Sequence, residues 1–157
     1  MKEKQQYRIA RLLKGSGKTL SAAESCTGGE ISHLITTVSG SSEYYLGSVT
    51  SYAIPIKERL LGVPAETVET FGVVSPEVAA AMAEGVRKAT GSDYSVATTG
   101  LAEGGDGHYP EGTVWMAVSG PSGTRTRLFS CNLGRRGNIR QFAKAALKFL
   151  ADYIENQ

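Results

Sequence analysis

LSAAESCTGGEISHLITTV, residues 20–38, passes from one hydrophobic period to another. Leu20–Ala23 is short, small and largely apolar, as a buried strand is, whereas Ile31, Leu34, Ile35 and Val38 recur at helical spacing. Between them lies Glu24-Ser25-Cys26-Thr27-Gly28-Gly29, a turn rich in Ser, Thr and Gly. A strand that runs through a tight turn into a helix is the building unit of an α/β fold. Such a junction is also a common anion site, because free N–H groups and the positive end of the helix dipole face one point. Serine and threonine are equally ordinary N-caps, and glycine an ordinary turn residue. Phosphate binding and plain capping therefore both fit these residues.

The alternation continues on either side. Tyr7, Ile9, Ala10, Leu12 and Leu13 form a helical stripe within 3–14. Ser75-Pro76-Glu77-Val78 opens the clearest helix: Ser75 is the N-cap, Pro76 takes the first position, and Val78, Ala79, Met82, Ala83 and Val86 make the buried face. Tyr94–Thr98 reads as a strand entering a second glycine-rich loop, 99–107. Thr113–Ser119 and Thr124–Cys131 flank Gly120-Pro121-Ser122-Gly123, a hairpin signal, with Trp115 on a core-facing strand. A last helix over Asn138–Ile154 presents Ile139, Phe142, Ala146, Phe149, Leu150 and Tyr153 on one face. Strand–helix alternation in the first half and an antiparallel hairpin near 113–131 predict a three-layer α/β/α domain with a mixed sheet.

At 157 residues the chain is long enough for one domain with a real core. No apolar run approaches the roughly 18 residues of a membrane span, and the charged start MKEKQQYRIARLLKG has no signal-peptide core. A net charge of +2, without a basic stripe interleaved with aromatics, argues against nucleic acid. Cys26 and Cys131 fit neither a metal-ligand spacing nor a disulfide framework, which makes a reducing, cytoplasmic setting the default. Cys26 reads as a small buried side chain, since neither His33 nor His108 pairs with it by pattern. Arg135, Arg136 and Arg140 gather at the entrance of the last helix, where the dipole disfavours cations; they suit an anionic partner or simple solvation equally.

Ser42, Tyr52 and Lys57 fall within one short segment, SSEYYLGSVTSYAIPIK (41–57). Serine needs a base to become a nucleophile, and lysine is that base only when burial keeps it neutral against a reference pKa of about 10.4. Tyrosine can relay a proton. In a straight strand Ser42 and Tyr52 would stand roughly 33 Å apart at about 3.3 Å per residue. The trio therefore requires a chain reversal, for which Gly47 is the candidate, or a second subunit. A helical turn over 42–46, a strand over 47–53 and a helix started by Pro55 complete this reading. The same spacing also fits an N-cap, a strand aromatic and a solvated helix charge.

Taken together, AESCTGG (23–29), Gly40-Ser41-Ser42 with Tyr52 and Lys57, GVVSPEVAAAMAEG (72–85), Thr99-Gly100-Leu101-Ala102, Gly112-Thr113-Val114-Trp115, and Arg136 with Arg140 resemble the CinA C-terminal domain family. The resemblance runs from about residue 6 to about residue 152 and implies a single domain over 1–157, of the stand-alone amidase kind. It implies a cofactor-free hydrolysis of nicotinamide mononucleotide, or a close pyridine nucleotide, to nicotinic acid mononucleotide and ammonia. By position, Ser42 is then the nucleophile and Tyr52 and Lys57 its activating pair. Ser25, Thr27, Gly28, Gly29, Thr99 and Gly100 fall where the family binds substrate, with Arg136 and Arg140 as further phosphate contacts. No metal is implied, and a homodimer or higher homo-oligomer is. Two places depart from the family pattern: Ile54 replaces an asparagine two residues after the tyrosine, and the 103–112 loop is shorter and acidic. Those departures support an alternative, a nucleotide-binding paralogue that acts as a sensor or partner protein without turnover.

Overall fold

The computed structural model describes residues 2–157. Three parallel strands, β1 (Leu20–Glu24), β2 (Tyr45–Thr50) and β3 (Tyr94–Leu101), are joined by β4 (Thr113–Gly120) and β5 (Gly123–Ser130) into one sheet. The order is β2-β1-β3-β4-β5, with the β3–β4 and β4–β5 pairs antiparallel. The hairpin closes at Gly120↔Gly123. The mixed sheet and the hairpin are as the sequence predicts.

Helices cover both faces. α1 (Gln5–Leu13), α2 (Glu30–Thr36) and α6 (Gly134–Glu155) pack on one side, around Leu20, Ala22, Ile31, Val96, Met116, Phe142 and Leu150. α3 (Ile54–Leu61), α4 (Ala65–Phe71) and α5 (Pro76–Thr90) cover the other, around Ala23, Leu61, Val78, Met82, Ala97 and Ala117. β1 lies inside the sheet between β2 and β3 and is buried along its whole length, and its small Ala22 and Ala23 face opposite layers. Ser75 caps α5 as expected, accepting from the Val78 N–H at 3.2 Å. Gly85 is required in α5, because a Cβ there would lie 2.0 Å from the Leu61 carbonyl oxygen at the end of α3. No helix among the described residues is long and apolar enough to cross a membrane.

The 41–57 segment folds differently from its sequence reading. Ser41–Glu43 forms a single 3-10 turn, β2 runs from Tyr45 to Thr50, and Gly47 lies inside it at φ +139°. Gly47 pairs with Ser21 just after a register irregularity between Leu20 and Ser21. Glycine here permits a bulge in a parallel strand, not a reversal. Pro55 does open α3.

Candidate active site

From β1 the chain crosses one face through α2 to β2, then returns across the other face through α3–α5 to β3 on the opposite side of β1. The crevice beyond the carboxyl ends of β1 and β3 is therefore the topological switch point, where open α/β sheets bind ligands. A cleft of about 510 Å³ opens there. Ser25 and Cys26 reach it from the end of β1, and Thr99 and Gly100 from the end of β3. The loop after β2 supplies Tyr52 and α3 supplies Ile54 and Lys57; Glu103 and Arg135 also line the cleft. A separate groove of about 550 Å³ between α1, α6 and the sheet is lined by Phe129, Phe149 and several lysines, and it brings no nucleophile to a base.

Lys57 is the centre of the cleft. It is fully buried, and its Nζ donates to Ser25 Oγ at 2.8 Å, to the Ser51 carbonyl at 2.6 Å and to the Tyr52 carbonyl at 3.0 Å. No carboxylate pairs with it among the described residues. Burial without a counter-charge penalises the ammonium, so its pKa falls to about 8, with the neighbouring Cys26 thiol pulling weakly the other way. An ammonium has three N–H groups, and three acceptors surround it. After deprotonation, two N–H groups still satisfy the two carbonyls, which leaves the lone pair facing the Ser25 hydroxyl. The mobile proton thus lies between Lys57 and Ser25.

The expected trio does not assemble within the chain. Ser42 is exposed on the turn that precedes β2, whereas Lys57 follows β2. Six residues of extended strand lie between them, about 20 Å at about 3.3 Å per residue. Tyr52 meets Lys57 through its main-chain carbonyl; its exposed phenol points to the rim, 3.4 Å from Arg135 Nη2. The serine beside the lysine is Ser25, whose place in the expected set was substrate binding.

The anion cradle at the start of α2 is already filled. Glu24, fully buried at the end of β1, accepts from the N–H groups of Gly29 (3.2 Å), Ile31 (2.9 Å) and Ser32 (3.0 Å) and from Thr27 Oγ1 (2.6 Å). Thr27 also bonds Thr98 Oγ1 at 2.9 Å, which ties the turn to β3. Thr27, Gly28 and Gly29 therefore shape and satisfy the turn, with the helix dipole spent on the chain's own carboxylate. Gly28 and Gly29 adopt positive φ, the backbone this tight turn needs.

Thr99 and Gly100 lie at the cleft, as their expected role requires. Thr99 Oγ1 donates to the Val73 carbonyl at 2.8 Å, and a Cβ on Gly100 would lie 2.4 Å from the Thr113 carbonyl oxygen. Their side of the cleft is thus rigid backbone. Arg136 and Arg140 are exposed and do not line it; Arg135 does, 3.5 Å from Glu103. α6 begins at Gly134, ahead of the sequence expectation, and at about 100° per residue it turns Arg136 and Arg140 about 100° and 140° away from Arg135. Asn138, fully buried, holds this entrance: its Nδ2 donates to the Ala102 carbonyl at 2.9 Å and its Oδ1 accepts from the Leu133 N–H at 2.9 Å. A polar residue on the apolar stripe of a helix was the signal for that brace. Cys26 is buried against the same cleft with its thiol pushed up to about 12, mainly by desolvation, which keeps it protonated and inert.

Comparison with known proteins adds ancestry. A family model described as the CinA C-terminal domain matches residues 2–154. A CinA-like protein of Geotalea daltonii is 49% identical over 145 residues, 90% of this chain and 35% of the relative; one of Cytophaga hutchinsonii is 42% identical over 147 residues, 92% and 35%. The chain thus spans about a third of the length of these relatives. A competence-damaged protein (CinA) superfamily structure from Klebsiella pneumoniae superposes with a TM-score of 0.93 at 28% identity, covering 98% of this chain and 97% of that one. A competence/damage inducible protein from Agrobacterium tumefaciens gives 0.89 at 30%, covering 100% and 98%.

Proposed function

This chain belongs to the CinA C-terminal domain family, and from that membership we propose that its cleft is an amidohydrolase site in which Ser25 is the nucleophile and Lys57 its base. One observation carries the reading: a buried, unpaired lysine lies 2.8 Å from a serine hydroxyl at the floor of a cleft. Neutral Lys57 takes the Ser25 proton as Oγ attacks the carboxamide carbon. As the tetrahedral intermediate collapses, the C–N bond breaks and the Lys57 ammonium gives its proton to the departing nitrogen, which leaves as ammonia. Water then hydrolyses the Ser25 ester, with Lys57 again the base.

The substrate we propose is nicotinamide mononucleotide or a close pyridine nucleotide. A cleft of about 510 Å³ is of the size that encloses a small ligand, and Arg135 provides a cation at its wall for a phosphate. Thr99 and Gly100 border the space the ligand would fill. The test is ammonia release from the mononucleotide by the purified protein. Ser25→Ala is expected to lower kcat by about 10⁴–10⁶, toward the scale seen when a serine nucleophile is removed. Undiminished release from that variant overturns the assignment. A second reading, binding without turnover, is favoured by Ile54, an alkyl wall in the cleft, and by the Glu103 carboxylate beside Arg135. Calorimetric binding of the mononucleotide with no ammonia produced would select it.

A further inference from the structure

The groove of about 550 Å³ between α1, α6 and the sheet combines an apolar floor with a cationic rim. Leu34, Met116, Phe129, Ala145 and Phe149 form the floor, and none of these side chains carries a hydrogen-bonding group. Lys2, Lys4, Arg127, Lys144 and Lys148 border it. Among the described residues that line it the one carboxylate is Glu3, which Arg11 holds at 3.0 Å. A chain whose formal net charge is only +2 thus gathers these cations around one trough.

The rim is poorly neutralised from within. Lys148 has Asp152 at 2.9 Å, but no carboxylate among the described residues pairs with Lys2, Lys4, Lys144 or Arg127. Lys144 and Lys148 stand one turn apart on α6, a spacing at which like charges repel. The Arg127 guanidinium lies 4.6 Å from the centroid of the Phe149 ring, which holds a cation at the border of the floor. Lys4, Gln5 and Gln6 bring the N-terminus of α1 to the same groove. That terminus has no side-chain cap at Lys4 and no acidic residue in its first turn, so the turn itself does nothing to answer the helix dipole.

We propose that this groove binds a fatty-acid anion, with the alkyl chain along Met116, Phe129 and Phe149 and the carboxylate among the rim cations. The volume lies within the roughly 300–1,000 Å³ of small-ligand sites. Met116 and Phe149 sit below the rim, only 1 and 6% exposed, so a narrow chain that enters reaches their level, whereas a flat bilayer or protein surface stops at the lysines. Dispersed lysines are point charges and do not form the bidentate fork that suits a phosphate ester. The groove is separate from the Ser25–Lys57 cleft, and its occupancy is measured without turnover, so it stands or falls independently of the amidase reading.

Methionine-methyl NMR on the full chain provides the test, because Met116 lies in the groove layer and Met82 in the opposite layer under α5. Dodecanoate should shift the Met116 methyl saturably and leave Met82 in place. Octanoate should bind at least tenfold more weakly, since each methylene taken from water is worth about fourfold. The double variant Lys4→Glu, Lys144→Glu changes two exposed side chains. It should weaken dodecanoate about tenfold and leave the binding of dodecanol unchanged. A Met116 methyl that dodecanoate does not move, whatever other ligand moves it, overturns the proposal. So does dodecanol or dodecyltrimethylammonium that binds as tightly as dodecanoate, or a double variant with wild-type affinity.

Discussion

Replacing Lys57 by Met tests whether the buried amine is a proton acceptor, through stability and activity at once. In the unfolded chain the ammonium titrates near its ordinary 10.5; in the fold it titrates near 8. At about 1.36 kcal/mol per pKa unit, the full difference is about 3 kcal/mol. The folded state releases its proton first, so between these values the unfolded state binds more protons and stability rises with pH. Below about pH 8 the fold carries a buried cation and the full penalty; above 10.5 the penalty is gone. Between pH 7 and pH 9.5 the wild type should gain about 2 kcal/mol relative to Lys57→Met. Urea melts of both proteins at the two pH values measure this. Taking the difference cancels groups common to both, including the Cys26 thiol, whose raised pKa acts with the opposite sign above pH 9. The variant also strands the Ser51 and Tyr52 carbonyls, but that cost does not depend on pH. In the same window kcat of the wild type should climb with an inflection near 8, and Lys57→Met should lose about 10²–10⁴ of it. A stability difference that stays flat from pH 7 to 9.5 would refute the reasoning, because the lysine would then titrate alike in both states.

Two further substitutions separate structural from chemical roles. Glu24→Gln keeps an acceptor oxygen for the Gly29 and Ile31 N–H groups but turns an amide N–H toward the N–H of Ser32; it should cost about 2–3 kcal/mol in a urea melt, and an unchanged midpoint would show that the carboxylate is not the cap of α2. Tyr52→Phe keeps the main-chain carbonyl that holds Lys57 and removes only a phenol at the rim. Its kcat should stay within about threefold of the wild type, and a fall of about 10² would return the hydroxyl to the proton path.

Much of the fold is legible because its signals are local. The change of period across 20–38, the Ser75-Pro76 helix start and the Gly120–Gly123 turn are each decided by a few adjacent side chains, and the structure realises all three. Where a local signal was ambiguous, tertiary context chose. Gly47 suits a reversal or a bulge, and pairing with Ser21 selects the bulge. A glycine-rich turn before a helix suits phosphate or capping, and the burial of Glu24 selects a cap supplied by the preceding strand. A carboxylate immediately ahead of the turn was the clue within the sequence itself: an acidic side chain so placed competes for the same N–H groups as any incoming anion.

The serine–lysine contact was illegible for a different reason. Ser25 and Lys57 are 32 positions apart, and only the parallel register of β1 and β2 makes them neighbours. Reading Ser42, Tyr52 and Lys57 as one unit followed proximity along the chain. In a β-α-β arrangement, however, proximity belongs to strand ends: residues that follow β1 meet residues that follow β2, and those that precede β2 are left at the opposite end of the strands. Ser25, Ser51 and Lys57 share the first condition; Ser42 meets the second.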